Sequence, residues 1–358
     1  MTRTVQSAVP VPQALPAGIG VPSLLDEAWR LEPFTPPFAF SAFFSPEDTL
    51  LCVCASDAAL DLVNRIAVDD GRTRNSIRVA ELTSGSGLVG LYLLTRDPEA
   101  TLLGLDIDDE AAEVAERNAL KLGVSDRAQF ARADLWSAKT LQLLDADRPH
   151  LMVCNPPYVP EPPGTRMQLE AAAGPHGTAH IMRALELTRL LQPDALSLSW
   201  CSLAHPGGVV AAAHDSGYQL DTLYVTAIAD GEYSGSVHEY LRNLSDCFIN
   251  EQPDTLAIIA PDGSARFAYL LLAGSFRRLD AVATDAPQGV GVAHDGERDP
   301  AAAAVQKICE DFAREGVTTL ASVNAPFSLH CSILTRWDEL ALRVLLHGNT
   351  ARTASSVL

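Results

Sequence analysis

The chain has 358 residues, 47% of them hydrophobic, which is enough for a sizeable core and more than one average domain. Its 26 Lys and Arg against 45 Asp and Glu leave a formal charge of −19, so a nucleic-acid partner is disfavoured and a cationic substrate or partner suits the charge better. No signal-peptide layout, no membrane-length apolar run and no C-x-x-C pair among 7 cysteines are present, so the sequence predicts a soluble cytoplasmic protein with reduced, buried thiols.

Residues 1–44 carry many prolines and read as an extended leader with at most a short helix around Leu24–Leu31. A helix is predicted from Ser45 to Ala67, with Ser45 as cap, Pro46 at the first helical position and Glu47 and Asp48 at the positive end of the dipole. An alternation follows: strand Ile77–Leu82, a glycine-rich turn, helix Leu88–Arg96, strand Leu102–Ile107 and helix Asp109–Leu122. Strands Ala128–Ala133 and Leu151–Cys154 flank a helical crossover, and Ile181–Leu191 reads as a further helix. Gly208–Ala213 reads as a strand after the Pro206-Gly207-Gly208 turn, and Asp221–Ile228 and Arg266–Leu272 as a closing strand pair. Repeated strand–helix units imply an α/β fold with a mostly parallel sheet covered on both faces.

Asp230–Pro261 breaks this rhythm and holds a predicted helix, Val237–Leu244. Residues 279–358 read as a small α+β C-terminal extension, with a linker over Asp280–Pro300, helix Ala301–Arg314 and strand Val317–Val323.

Gly85-Ser86-Gly87-Leu88-Val89-Gly90 fits G-x-G-x-x-G between a strand and a helix, where missing Cβ atoms let a ligand reach the backbone and the helix N-terminus. Asp106 lies 19 residues after Gly87, at the end of the next strand, and can accept from ribose hydroxyls. Together they point to a nucleoside cofactor, and a nicotinamide dinucleotide fits the same fingerprint. Asp134, ending the third strand, is either an acceptor for an adenine amino group or a cap for the segment after Leu135. Asn155-Pro156-Pro157-Tyr158 follows the apolar run Leu151–Cys154. An Asn and a Tyr on proline-stiffened backbone at a strand's carboxyl end suit a flat, hydrogen-bearing nitrogen.

With these residues assembled, the chain resembles the class I S-adenosylmethionine-dependent methyltransferases, and within them the HemK-type glutamine N-methyltransferases and their N6-adenine relatives. The resemblance spans about Ser45 to Gly274 and implies a seven-stranded sheet, with residues 45–278 as the methyltransferase domain. Pro46–Leu51, with Thr49 at its centre, looks like the family's Glu-Asp-Thr segment that helps enclose the cofactor. Glu81 and the Gly85–Gly87 loop match its first motif, Asp106 its ribose-binding acid and Asp134 its adenine-side acid. Asn155–Tyr158 matches its catalytic tetrapeptide, and Gly174-Pro175-His176-Gly177 its glycine-rich link. The implied cofactor is S-adenosylmethionine, held by Thr49, Glu81, Gly85, Gly87, Asp106, Asp134 and Asn155, with Asn155, Pro156 and Tyr158 catalytic. Asp230–Pro261 and the residues beyond Arg278 have no counterpart in the resemblance, and such parts normally choose the substrate.

Glu232 and Glu239 flank a Gly/Ser stretch and are candidates for a cationic acceptor, although solvated carboxylates explain them as well. His176 and His180 are four apart, but no third ligand accompanies them and no metal is expected. The sequence therefore predicts N-methylation of an amide or guanidine on a protein side chain or an amino-acid-like metabolite, with no membrane. Adenine N6-methylation, a dinucleotide-dependent oxidoreductase and a catalytically silent interaction protein are the alternatives.

Overall fold

Pro46 cannot donate a backbone hydrogen bond, so it sits at the start of a helix without loss, and helix α1 runs Pro46–Asp69. The computed structural model describes residues 46–69, 76–165, 167, 171–229, 237, 240–241, 268–279, 299–315 and 324–333. In chain order there follow β1 (Arg78–Leu82), α2 (Leu88–Arg96), β2 (Thr101–Asp106), α3 (Asp109–Leu122), β3 (Ala128–Arg132), α4 (Ala138–Asp147) and β4 (Leu151–Cys154). Then come α5 (Ala179–Leu191), β5 (Ala195–Cys201), α6 (Pro206–Asp215), β6 (Tyr218–Ala229), β7 (Ala268–Arg278), α7 (Pro300–Glu315) and β8 (Ser328–Ile333).

The strands form one mixed sheet in the order β3-β2-β1-β4-β5-β7-β6-β8. β3 through β5 are parallel, β7 runs antiparallel to both β5 and β6, and β8 lies parallel to β6. β1, β2, β4 and β5 are buried almost throughout, because helices cover both faces of the parallel part. The strand order reverses between β1 and β4. A crevice beyond their carboxyl ends is the place where open α/β sheets take ligands.

Helix α1 lies across β5 and β7 and against α2. A buried Ser56–Ser197 hydroxyl bond of 2.8 Å fixes it to the sheet, and the Arg96–Asp57 pair at 2.9 Å fixes it to α2. Asp57 is buried, so this pair is worth more than a fully solvated one, although half-exposed Arg96 tempers it. Six cysteines, Cys52, Cys54, Cys154, Cys201, Cys309 and Cys331, are free and buried. Among the described residues no helix is long and apolar enough to cross a membrane.

Three elements depart from the sequence expectation. Gly208–Ala213 is helix α6, not a strand. The Pro-Gly-Gly start is its first turn, and a Cβ on Gly207 would come within 2.8 Å of the Ala302 carbonyl on α7. That glycine serves a close helix crossing with a residue far away in the chain. Strand β5 went unrecognised because Ser197 and Ser199 interrupt its apolar pattern. Both are buried, Ser197 facing Ser56, while Trp200 packs near Phe276 at 6.1 Å between ring centres. The sheet has eight strands, not seven, because β8 from the C-terminal segment adds to β6, and α7 packs on α6. The predicted helices Leu24–Leu31 and Val237–Leu244 and the strand Val317–Val323 fall wholly or mainly outside the described residues.

Candidate active site

The first wall of the crevice is the turn after β1. Gly85 and Gly87 take positive φ of 51° and 73°, as does Thr83 at 54°, an uncommon conformation for a β-branched residue. The Thr83 hydroxyl lies 2.5 Å from the Leu82 carbonyl and 3.1 Å from the Asn155 carbonyl, so it bridges the diverging ends of β1 and β4. Gly87 is also demanded by packing, since a Cβ there would stand 2.8 Å from the Phe130 ring. Buried Asn118 on α3 donates to the Ser86 carbonyl at 3.1 Å and holds the turn from the other side. Sequence reading missed Thr83 and Asn118, because neither belongs to a glycine pattern.

Asp106 ends β2 facing this turn. Its Oδ2 accepts from the Gly85 amide at 2.8 Å and its Oδ1 from the Asp108 amide at 3.0 Å. Burial pushes its carboxyl above the usual range, and those amides hold against the shift. The neighbouring Ile107 leaves 41% of its surface exposed, an apolar face beside the carboxylate. Glu81 sits beneath the turn, 4% exposed, and caps α2 by accepting from the Gly90 and Val89 amides. Desolvation raises its pKa to about 8, with the nearby Asp106 charge adding to the shift.

Asp134 Oδ1 accepts from the Trp136 amide at 2.9 Å, while Ser137 is the cap of α4. The carboxylate thus shapes the turn ahead of the cap and is not itself the cap. Trp136 is 53% exposed and meets His180 edge-on at 4.9 Å. His176 instead meets His205 at 5.4 Å, so the two histidines have different partners, and no group of metal-ligand residues occurs among those described.

The second wall is the tetrapeptide after β4. Asn155 Nδ2 donates to Asp48 Oδ2 at 3.0 Å, and its Oδ1 is buried with no hydrogen-bond partner among the described residues. The Tyr158 hydroxyl also bonds Asp48, and burial followed by the Asp48 charge pushes its pKa well up. Pro156 is buried and Pro157 half-buried. Gly177, at φ 70°, lies so close to the Tyr158 carbonyl that any Cβ would collide with it, so the glycine-rich link braces the tetrapeptide. Asp48 is 5% exposed and Thr49 9%. Of the Pro46–Leu51 segment, Asp48 is the residue joined to the tetrapeptide, and sequence reading had singled out Thr49. Glu232 and Glu239 lie outside the described residues.

These features fit S-adenosylmethionine. A glycine turn at a helix start, a carboxylate aimed at that turn and a buried Ser84 hydroxyl with no hydrogen-bond partner among the described residues line one wall. Residues 54–170 match the methyltransferase small domain family. A release factor glutamine methyltransferase of Chlorobaculum tepidum is 32% identical over 129 residues, covering 36% of this chain and 44% of the relative. Its counterpart from Mycobacterium leprae is 31% identical over 145 residues, covering 40% of this chain and 48% of the relative. A tRNA1(Val) (adenine(37)-N6)-methyltransferase of Porphyromonas gingivalis is 37% identical over 78 residues, covering 22% and 31%. In each case the match spans less than half of the curated relative. Because one of these relatives is named for acting on tRNA, the charge-based expectation that nucleic acid is disfavoured finds no support among them. On topology, glycine turn, tetrapeptide and family match together, residues 54–170 carry a methyltransferase small domain, and over that part the chain is similar to release factor glutamine and tRNA adenine-N6 methyltransferases.

Proposed function

We propose that the chain is an S-adenosylmethionine-dependent N-methyltransferase whose acceptor is a planar nitrogen, an amide or guanidine of a protein side chain or of an amino-acid-like metabolite. The observation that carries this reading is Asn155 Oδ1, a buried oxygen without a hydrogen-bond partner among the described residues, at the carboxyl end of β4. Buried polar atoms rarely stay unpaired without a functional reason. An acceptor N–H is the natural occupant of that lone pair.

Bound in the crevice, S-adenosylmethionine supplies a methyl group made electrophilic by its sulfonium. Asp106 would hold its ribose and the Gly85–Gly87 turn its amino-acid part, with Thr49, Glu81 and Asp134 in the surrounding wall. Asn155 Oδ1 and the Pro156 carbonyl accept from the acceptor N–H groups and turn its lone pair toward the methyl carbon. Delocalisation makes such a nitrogen a poor nucleophile. As the C–N bond would form and the methyl–sulfur bond break, releasing neutral S-adenosylhomocysteine, positive charge would grow on nitrogen, and the same fixed oxygens would stabilise it. Tyr158 supplies a ring against which the planar group stacks. The nitrogen releases its proton once the methyl has moved, so no strong base is needed.

A second reading, N6-methylation of adenine in a nucleic acid, is favoured by the similarity to the tRNA-modifying relative. An exocyclic adenine amine offers the same N–H pair. Incubation with radiolabelled methyl donor and fractionated cell extract separates the readings. Label on protein glutamine, arginine or a small molecule supports the first, and N6-methyladenine in nucleic acid supports the second. No label in any fraction, from protein that binds S-adenosylhomocysteine, would overturn both.

A further inference from the structure

Asp48 lies in the first turn of α1, and the only local work expected of a carboxylate there is to favour the helix dipole. Its contacts go elsewhere. Its Oδ2 takes the Asn155 Nδ2 hydrogen at 3.0 Å across 107 residues of chain, and its carboxylate takes the Tyr158 hydroxyl. At 5% exposure this acid is placed where only paired carboxylates are usually tolerated.

We propose that Asp48 is a positioning residue for methyl transfer: it fixes the Asn155 amide in the orientation that presents Oδ1, and not the NH₂ group, to the acceptor nitrogen. The proposal rests on the methyltransferase reading above. An asparagine amide has two nearly isosteric orientations that differ by a half-turn and exchange a double donor for an acceptor. Nothing in the tetrapeptide itself decides between them. A carboxylate oxygen that carries no hydrogen can only accept, so Asp48 Oδ2 holds Nδ2 and repels Oδ1. The flipped amide would set two oxygens against each other at hydrogen-bond distance and would offer donors to an acceptor nitrogen that itself carries hydrogens. Asp48 therefore determines which hydrogen-bond partner the crevice selects.

A second consequence concerns charge. A hydrogen bond from Nδ2 to the Asp48 carboxyl polarises the amide and enriches Oδ1, which strengthens a bond to a nitrogen turning cationic. The benefit grows along the reaction, so it belongs in turnover more than in ground-state binding. By bonding Tyr158 as well, the same carboxylate ties the stacking ring and the accepting oxygen to one point on α1. The thiols of Cys52 and Cys201 lie near enough to interact with it, both buried and pushed toward the protonated form, so neither of them contributes charge.

The test is a double-mutant cycle with Asn155, using a verified acceptor and calorimetry with S-adenosylhomocysteine as a check on folding. Asp48→Ala should lower kcat by about 10–100-fold, with the affinity for S-adenosylhomocysteine changed less than about threefold. In an Asn155→Ala background the same change should cost less than about twofold, because a residue acting through Asn155 has nothing left to position. Should Asp48→Ala fail to fold, near-isosteric Asp48→Asn serves in the same cycle. Losses that simply multiply, or a loss confined to S-adenosylhomocysteine affinity or KM, would overturn the proposal. Hydrogen exchange of the Asn155 side-chain amide, followed by NMR, supplies a readout apart from turnover: it should be slow in the parent and fast in Asp48→Asn. Fast exchange in the parent would overturn the proposal by itself. Slow exchange in a parent that methylates nothing would leave the Asp48–Asn155 pairing standing and overturn the reading of the reaction.

Discussion

The two walls of the crevice draw their polar contacts from very different distances along the chain. Along the first wall, Gly85 and Asp106 meet across 21 residues, Asp106 and Asp108 across two, and Ser86 and Asn118 across 32. Along the second wall, Asn155 meets Asp48 across 107 residues and Thr83 across 72. The first wall is a compact strand–turn–strand unit whose hydrogen bonds close short loops at low entropic cost. The second exists only when α1, β1 and β4 are docked together, so it depends on the whole sheet. Binding of a nucleoside should therefore tolerate damage that the chemical step does not.

Single substitutions put that contrast to the test, and the largest effect is expected from Glu81, beneath the first wall. Its folded pKa of about 8 lies above the ordinary 4.5. Between those values the native state keeps a proton that the unfolded chain gives up, so stability falls as pH rises from about 4.5 through 8. Integrated over the whole shift the loss is at most about 5 kcal/mol, and less where the buried site relaxes. Glu81→Gln stays neutral and keeps an acceptor for the α2 amides. The difference in denaturation midpoint between parent and variant should thus widen with pH in favour of Gln, and a constant difference would contradict the buried, protonated carboxyl.

Asn155→Ala comes next and probes the second wall. It should cut kcat by about 10²–10³-fold, as loss of a fixed electrostatic stabiliser does, with S-adenosylhomocysteine affinity nearly unchanged. Turnover close to the parent's would refute the role given to Oδ1. Asp106→Ala is the counterpart on the first wall. It should weaken cofactor binding by about 1.5–3 kcal/mol, read by calorimetry, because charge-assisted bonds are lost and the Gly85 amide is left without its acceptor.

Thr83→Gly should have the smallest effect on stability, and it touches both walls. Glycine relieves the positive φ but enlarges the unfolded ensemble, so thermal unfolding should shift by less than about 1 kcal/mol. The hydroxyl beside the Asn155 carbonyl is lost at the same time. A fall in kcat of about threefold at unchanged stability would mark Thr83 as the link between the walls. A large drop in stability would show that the hydroxyl outweighs the strain.

Features built within a short window of chain are legible from the amino acids alone. The glycine turn, the acid ending the next strand, the Asn-Pro-Pro-Tyr corner and the strand–helix rhythm through β4 all follow from local rules of turn chemistry, periodicity and capping. Helix α1 was legible too, from Pro46 and the acids behind it. Only the tertiary structure decided what those residues do to one another. Asp48 looks like any acid in a first helical turn until the sheet sets it against Asn155. Gly207 reads as a turn until α7 passes within contact of it, and the serines of β5 read as a break until Ser56 covers Ser197. β8 pairs with a strand a hundred residues earlier, so no local pattern announces it. The physical reason is the same in each case. A buried polar group, a bare glycine or an edge strand acquires its meaning from a partner distant in sequence, and periodicity along the chain carries no record of which distant surfaces will meet.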